Sequence, residues 1–285
     1  MSRGVIYIAT AEKYVRRAVR SAESLKQSNS TVSVALVTDT ENIDSDLTAA
    51  FDRVVSAAES FNDMRVKSFN MLESPYEKTL YVDVDVHFCG DITPVFDLLD
   101  RFEFAAAHAP IREANRSESI PESFPDFNAG VLAFRNTSTV TEAFSRWQEL
   151  YQSQIDADTV SDPMNDQTPL RQALWNSDVS LSTLPPEYNC RFVLPGYIGD
   201  DAKIIHGHLP ESMELDLQSF AEVFNKHDGP RLYTGYPDQR LLYTTPMLKS
   251  ESYPQRFAYL KTVLLNSIES RGVLGTIRRV IDLRR

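Results

Sequence analysis

Cysteine is nearly missing from this 285-residue chain. Cys89 and Cys190 are its two thiols, too few for a disulfide framework or a cysteine-based zinc cluster. Glycine is scarce as well, with 10 residues against 15 prolines, which excludes collagen-like and glycine-rich low-complexity chains. No stretch approaches the roughly 18 uninterrupted apolar residues of a membrane-spanning helix. The opening MSRGVIYIAT has too short an apolar run for a secretory leader and lacks a small-residue cleavage site. Positive charge is in deficit: 29 basic against 40 acidic side chains leave a net charge of −11, which argues against nucleic acid as a partner. A nucleotide ligand stays compatible with that balance, because a metal ion can bridge phosphate to carboxylates. Lysine is the rarer base, 8 against 21 arginines. Together these absences point to a reducing cytoplasm. What is present is enough for a core: 42% apolar and 24% charged residues exclude general disorder and bound the chain to one large domain or two small ones.

The hydrophobic pattern alternates between strand and helix. GVIYIAT (4–10) reads as a strand, followed by a helix from about Glu12 to Gln27 whose inner stripe is Val15, Ala18, Ala22 and Leu25. Then come a strand TVSVALVTD (31–39), a short strand near Arg53–Val55, a helix near Asp63–Leu72 and the run KTLYVDVDVHF (78–88). Such alternation over about ninety residues predicts an α/β fold with a mainly parallel, Rossmann-like sheet flanked by helices. Ligands of such sheets gather at the carboxyl ends of the strands. Further on, 102–109 and AGVLAFR (129–135) read as strands. A helix over Thr139–Gln152 carries Ala143, Phe144, Trp147 and Tyr151 on its inner face. The polar segment 112–126 has the length of a substrate-facing loop. Residues 1–250 read as one domain, and 251–285 as a basic amphipathic helical tail. From Pro254 onward seven basic side chains face two acidic ones, and Phe257, Leu260, Leu264 and Ile268 form one apolar stripe. A tail of that kind either packs on the acidic body or lies peripherally on an anionic inner membrane face.

The chemistry concentrates in LYVDVDV (80–86), where Asp83 and Asp85 are separated by one residue. In a regular strand both side chains share a face. Two adjacent carboxylates repel each other, and a divalent cation such as Mn²⁺ or Mg²⁺ resolves the conflict. The bland alternative is a pair of aspartates that end a strand by bonding to turn amides.

Six blocks occur in an order that resembles the GT-A glycosyltransferases, above all glycosyltransferase family eight, which includes glycogenin and lipooligosaccharide galactosyltransferases. They are IYIATAEKYVRRAVRSAESLKQ (6–27), MRVKSFNMLESPYEKTLYVDVDVHFCGDITPVF (64–96), FNAGVLAFR (127–135), NDQTPLRQALW (165–175), LPPEYNCR (184–191) and AKIIHGHL (202–209). The resemblance implies a GT-A fold and a hexosyltransferase. Such an enzyme moves sugar from a nucleoside diphosphate sugar, a UDP-sugar by expectation, to an acceptor hydroxyl with retention. The acceptor would be a saccharide, a lipid-linked glycan or a protein.

Residue by residue, the resemblance implies that Thr10 and Tyr14 hold the nucleotide base and that Lys67 approaches the donor, with Arg65 as competitor. It makes Asp83, Asp85 and His206 the metal ligands, with His208 as the alternative histidine. An imidazole ligand suits Mn²⁺ better than Mg²⁺. Asn128 and Gly130 would lie against the donor, and Asp166 and Gln167 beside the transferred sugar, although Asp166 also reads as a helix N-cap. Tyr188 and Asn189 read as scaffold. One departure stands out: HGHLPESM places Leu209 where the family has glycine, and no lysine follows before Lys226. Two other classes compete. DVDV followed by GDD (199–201) superficially matches a haloacid-dehalogenase-like phosphatase, but that fold places its D-x-D on the first strand. A non-catalytic sugar-nucleotide-binding protein would keep the fold without the reaction.

Overall fold

The computed structural model describes residues 1–39, 45–61, 63–109, 119–157, 165–207, 217–226, 229–233 and 241–243, with isolated positions at 264, 265, 268 and 273. In chain order its strands and α-helices are β1 (Arg3–Ile8), α1 (Glu12–Ser28), β2 (Ser33–Thr38), α2 (Ser45–Thr48), β3 (Arg53–Ser56), α3 (Arg65–Asn70), β4 (Lys78–Val82) and β5 (Val86–Phe88). There follow α4 (Thr93–Leu98), β6 (Phe104–His108), β7 (Phe127–Arg135), α5 (Ser138–Asp156), α6 (Gln167–Trp175), β8 (Leu181–Thr183), β9 (Cys190–Arg191) and β10 (Gly196–Ile198). The last are β11 (Ile204–His206), α7 (Leu217–Phe224), β12 (Arg231–Tyr233) and β13 (Leu241–Tyr243). The tail 251–285 and His208 lie outside the described residues, save for the four isolated positions of the tail.

The central sheet has seven strands in the order β3-β2-β1-β4-β7-β6-β8. The first four run parallel, as expected for short strands linked through helices. β7 is antiparallel to both its neighbours, β4 and β6. Its burial is continuous from Phe127 to Phe134, and a run apolar on both faces reads the same in either direction. Alternate residues feed two cores. Val5 and Tyr7 face the side covered by α1, where Val15, Ala18, Ala22 and Leu25 pack. Ile6 and Ile8 face the opposite side, where Phe144, Trp147 and Tyr151 of α5 and Leu170 of α6 close the layer. α5 starts at an N-cap, Thr137, whose hydroxyl accepts from the Val140 amide at 3.3 Å, satisfying one orphan donor of the first turn.

The expected strand through 78–88 is instead two strands separated by a turn. β4 ends at Val82, Asp83 keeps one backbone bond to Gly130 (N to O, 2.8 Å), and the chain then turns over Val84 and Asp85. β5 leaves the central sheet and pairs antiparallel with β11, placing His206 opposite Val86. β11 pairs on its other side, in parallel, with β9. This small three-stranded sheet, β5-β11-β9, carries a histidine from late in the chain to the end of β4. The backbone of Gly207 closes the junction, its N–H donating to the Asp85 carbonyl at 3.0 Å. Gly207 does so at φ +145°, a region that side chains disfavour.

Candidate active site

Eight of the residues singled out in the sequence line one cavity of about 260 Å³: Lys67, Asp83, Asp85, Asn128, Gly130, Asp166, Gln167 and His206. Thr10 and Tyr14 do not line it. Thr10 follows β1, and Tyr14 is 39% exposed on α1 with the Lys13 ammonium 4.7 Å from its ring centre. Arg65 turns away, bonding Asp63 and the Gln152 side chain, so Lys67 is the basic residue of α3 at the cavity.

Asp83 and Asp85 come together across the turn rather than along a regular strand. One ligand atom from each, with one from His206, lie within 4.8 Å of one another. His206 Nε2 stands 3.5 Å from Asp85 Oδ1 and 3.8 Å from Asp83 Oδ2. The other ring nitrogen is fixed. Asn189 donates its side-chain N–H to Asn128 Oδ1 at 2.8 Å, so its Oδ1 accepts from His206 Nδ1 at 2.8 Å. That assigns the proton to Nδ1 and leaves the Nε2 lone pair facing the two carboxylates, the arrangement typical of ligating histidines. Asp83 divides its oxygens in a similar way: Oδ1 accepts from the Tyr81 hydroxyl and pairs with Lys67 Nζ at 3.1 Å, while Oδ2 faces His206. Two carboxylate oxygens and a neutral imidazole nitrogen form a donor set that fits a first-row divalent ion such as Mn²⁺.

Gly130 keeps this cradle open. A Cβ there would sit 2.2 Å from His206 Cε1 and 2.8 Å from Asp83 Oδ2. We expect Gly130→Ala to weaken Mn²⁺ binding by about 10–100-fold, the usual effect of disturbing the support of metal ligands. The overpacking should also destabilise the fold by about 1–3 kcal/mol. Paramagnetic resonance of free Mn²⁺ and the urea midpoint measure the two effects. Wild-type affinity in the alanine variant would refute the cradle.

Deeper in the cavity wall Lys67 is 4% exposed. Its ammonium meets Asp166 Oδ2 at 2.9 Å and Asp83 Oδ1 at 3.1 Å and donates to the Ala129 carbonyl at 3.3 Å. Burial alone pushes the ammonium down, but Asp166 and Asp83 reverse that and hold it above its ordinary value. The Asp166 carboxyl is raised, chiefly by burial, with Lys67 only partly offsetting it. Burial likewise raises Asp85, yet His206, when its ring is protonated, and Arg191 hold its carboxyl below the usual range. Asp166 does not cap α6 with its side chain; its carbonyl instead accepts from Trp147 Nε1 at 2.9 Å. Gln167 Oε1 accepts from the Asn128 amide at 2.8 Å. A line of amide side chains thus runs from Gln167 through Asn128 and Asn189 to His206.

Residue order assigns Arg191 no functional role and makes Asn189 scaffold. It is 5% exposed and bonds His206 directly, while Arg191 lines the cavity. The signal available was their place in LPPEYNCR. Nothing in a two-residue strand announces that it will pair beside His206. Further along α6, Arg171 pairs with Asp126 at 2.6 Å and donates to the carbonyls of Pro121 and Phe124, each at 2.9 Å. The stretch 110–118 of the polar loop lies outside the described residues.

A mainly parallel sheet interrupted by one antiparallel strand, with an Asp-x-Asp turn at the end of β4, defines the GT-A type of glycosyltransferase fold. Three strands precede β4, which ends in that turn, so the first-strand placement of a dehalogenase-type phosphatase is not met. The family model of glycosyl transferase family 8 matches residues 19–206, and the chain belongs to that family. Among solved structures, the glycosyltransferase GlyE of Streptococcus pneumoniae TIGR4 is similar, with 17% identity, a TM-score of 0.56 and coverage of 80% of this chain and 61% of that one. The chain thus spans less than two thirds of the length of GlyE. An active-site mutant of LgtC is similar at 14% identity and TM-score 0.52, over 78% of this chain and 93% of that one. At these identities the likeness is one of fold. No curated protein matches in sequence. Among the described residues no helix is long and apolar enough to cross a membrane.

Proposed function

We propose that the chain moves a hexose from a nucleoside diphosphate sugar, a UDP-sugar, to an acceptor hydroxyl with retention of anomeric configuration. The observation that carries this reading is the convergence of Asp83, Asp85 and His206 within 4.8 Å of one another, on the wall of the cavity that Asp166 and Gln167 also line. A divalent ion held there, Mn²⁺ by its donor set or else Mg²⁺, would supply positive charge to a departing diphosphate. His206 is oriented for ligation by Asn189, and Asp83 by Tyr81 and Lys67. Pre-set dipoles and charges of this kind need no rearrangement as negative charge develops on the leaving group. Lys67 adds a fixed positive charge beside the donor. Asp166, committed to Lys67, is the negative group facing the anomeric carbon, and Gln167 and Asn128 offer amides to sugar hydroxyls. A retaining reaction needs no separate strong base, because the leaving phosphate takes the acceptor proton. Thr10 and Tyr14 then serve the base at the carboxyl end of β1.

The acceptor is a saccharide, free, lipid-linked or protein-borne. Residues 1–250 act as the catalytic domain, and the basic tail 251–285 makes peripheral contact with the inner membrane face. The family match over residues 19–206 supports the transferase class over a phosphatase or a silent binder.

A thermal-shift panel of nucleotide sugars with and without Mn²⁺ tests the reading. Ligand at about a hundred times its Kd stabilises by about 2.7 kcal/mol. For a domain of this size that raises Tm by about 5 °C. The rise should occur with UDP-hexoses and require Mn²⁺. A panel without any Mn²⁺-dependent shift, or phosphate release from p-nitrophenyl phosphate, would overturn it.

A further inference from the structure

Among the described residues two fixed cations line the cavity, and Lys67 is the one held in direct ion pairs. Lys67 lies between two carboxylates. Arg191, the second residue of β9, stands opposite His206 in the parallel β9–β11 pairing and lines the cavity with Asp83 and Asp85. It is half-buried, and its Nε is buried with no hydrogen-bond partner. Among the described residues its guanidinium makes no hydrogen bond or ion pair. A guanidinium cannot shed its charge, and a buried donor left unpaired is unfavourable. The arrangement makes sense when an anion fills the cavity.

The neighbourhood narrows which anion. Asp83, Asp85 and Asp166 make the wall acidic, so the anion that fits is one that shares a cation with them. A ligand that meets both Arg191 and a cation at the aspartates needs several anionic oxygens. The two phosphoryl groups of a diphosphate provide them, one for the ion and one for the planar fork of the guanidinium.

We propose that Arg191 binds the diphosphate of the donor and makes the site selective for nucleoside diphosphates over monophosphates. This rests on reading the cavity as a nucleoside diphosphate sugar site. Arg191 touches the leaving group and takes no proton from it.

The test compares wild type, Arg191→Gln and Arg191→Lys, each checked by near-ultraviolet circular dichroism. Mn²⁺ alone is titrated first by paramagnetic resonance. UDP, UMP and inorganic pyrophosphate are then titrated calorimetrically at saturating Mn²⁺. Arg191→Gln should bind UDP and pyrophosphate about 10–100-fold more weakly, the loss expected for charged hydrogen bonds, and UMP less than about threefold more weakly. Its affinity for Mn²⁺ alone should hold or rise severalfold, since a positive charge has left the surroundings of Asp85. Arg191→Lys, which keeps the charge without the fork, should fall between, and it carries the test if the glutamine variant fails to fold. Wild-type UDP affinity in Arg191→Gln overturns the proposal, as does joint loss of Mn²⁺ and UDP, which would make Arg191 a support of the ligand set. If the wild type binds pyrophosphate through Arg191 but shows no preference for UDP, the anion clamp stands and the nucleotide reading falls. If it binds neither, both fall.

Discussion

Asp85→Asn is expected to lower kcat/KM for sugar transfer by at least about a thousand-fold while leaving the fold in place. The substitution keeps the size and shape of the side chain and removes one negative charge. That charge is half of the carboxylate pair that faces His206 Nε2, 3.5 Å from Asp85 Oδ1. An amide oxygen is a poor substitute where a divalent ion must be held against the pull of water. Electrostatic stabilisation of a leaving diphosphate is worth several kcal/mol, and each 1.36 kcal/mol is about tenfold in rate, so a thousand-fold loss is the modest end. Stability should respond differently. Asp85 sits in a turn whose backbone is held independently, through the bond from Gly207 to its carbonyl. In EDTA the Tm of Asp85→Asn should therefore stay within a few degrees of wild type, while the rise in Tm on adding Mn²⁺ disappears. Turnover of UDP-sugars, followed by UDP release, and the paired melting curves check this. Unchanged turnover would remove the metal-site assignment, and a collapsed fold in EDTA would make the aspartate structural.

Much of this was legible in residue order because local and tertiary signals agree. The apolar runs at 4–10 and 31–39 are buried from Gly4 to Ile8 and from Val34 to Thr38, and the stripe Val15, Ala18, Ala22 and Leu25 packs as its spacing implies. The Asp-x-Asp pair stands out in residue order, the resemblance to family eight adds Asp166, Gln167 and His206, and all of them line one cavity. What was not legible depended on pairings between short segments. Val82, Val84 and Val86 keep an alternating rhythm straight through the turn, so hydrophobicity gives no sign that β4 stops and β5 joins another sheet. The direction of β7 is hidden for a related reason: a strand buried along both faces has no solvent face to mark its orientation. Asn189 reads as part of a proline-fixed loop, and its role comes from a contact 17 residues away with His206. That contact exists only because β9 pairs beside β11. A strand of two residues carries too little pattern to reveal it.

Lys67→Met should be the most destabilising single change in the cavity wall, and its effect should depend on pH in a definite direction. The ammonium is 4% exposed and neutralises Asp83 and Asp166 at 3.1 and 2.9 Å. Removing it leaves two carboxylates facing each other in a site where Asp166 is 4% exposed. Breaking a buried ion pair from one side costs about 3–5 kcal/mol. Asp166 already has its carboxyl raised, by burial before anything else, and Lys67 is what restrains the rise. Without Lys67 the folded-state value climbs further, while the unfolded chain keeps an ordinary carboxylate near about 3.9. A group raised on folding contributes no penalty below its unfolded value. Above it the penalty grows by about 1.4 kcal/mol per pH unit until the folded value is passed. Urea midpoints of wild type and Lys67→Met, both in EDTA, should therefore lie close together near pH 4–5 and separate towards pH 8. Adding Asp166→Asn to Lys67→Met removes the second carboxylate and should return most of the lost stability at neutral pH, the signature of coupled neighbours in a double-mutant cycle. Transfer activity should not return with it, because the double variant restores the electrical balance of the wall and not the charges that face the donor. A Lys67→Met deficit equal at pH 5 and pH 8 would mean that lost packing of the lysine stem, rather than the exposed carboxylate pair, is what the fold feels.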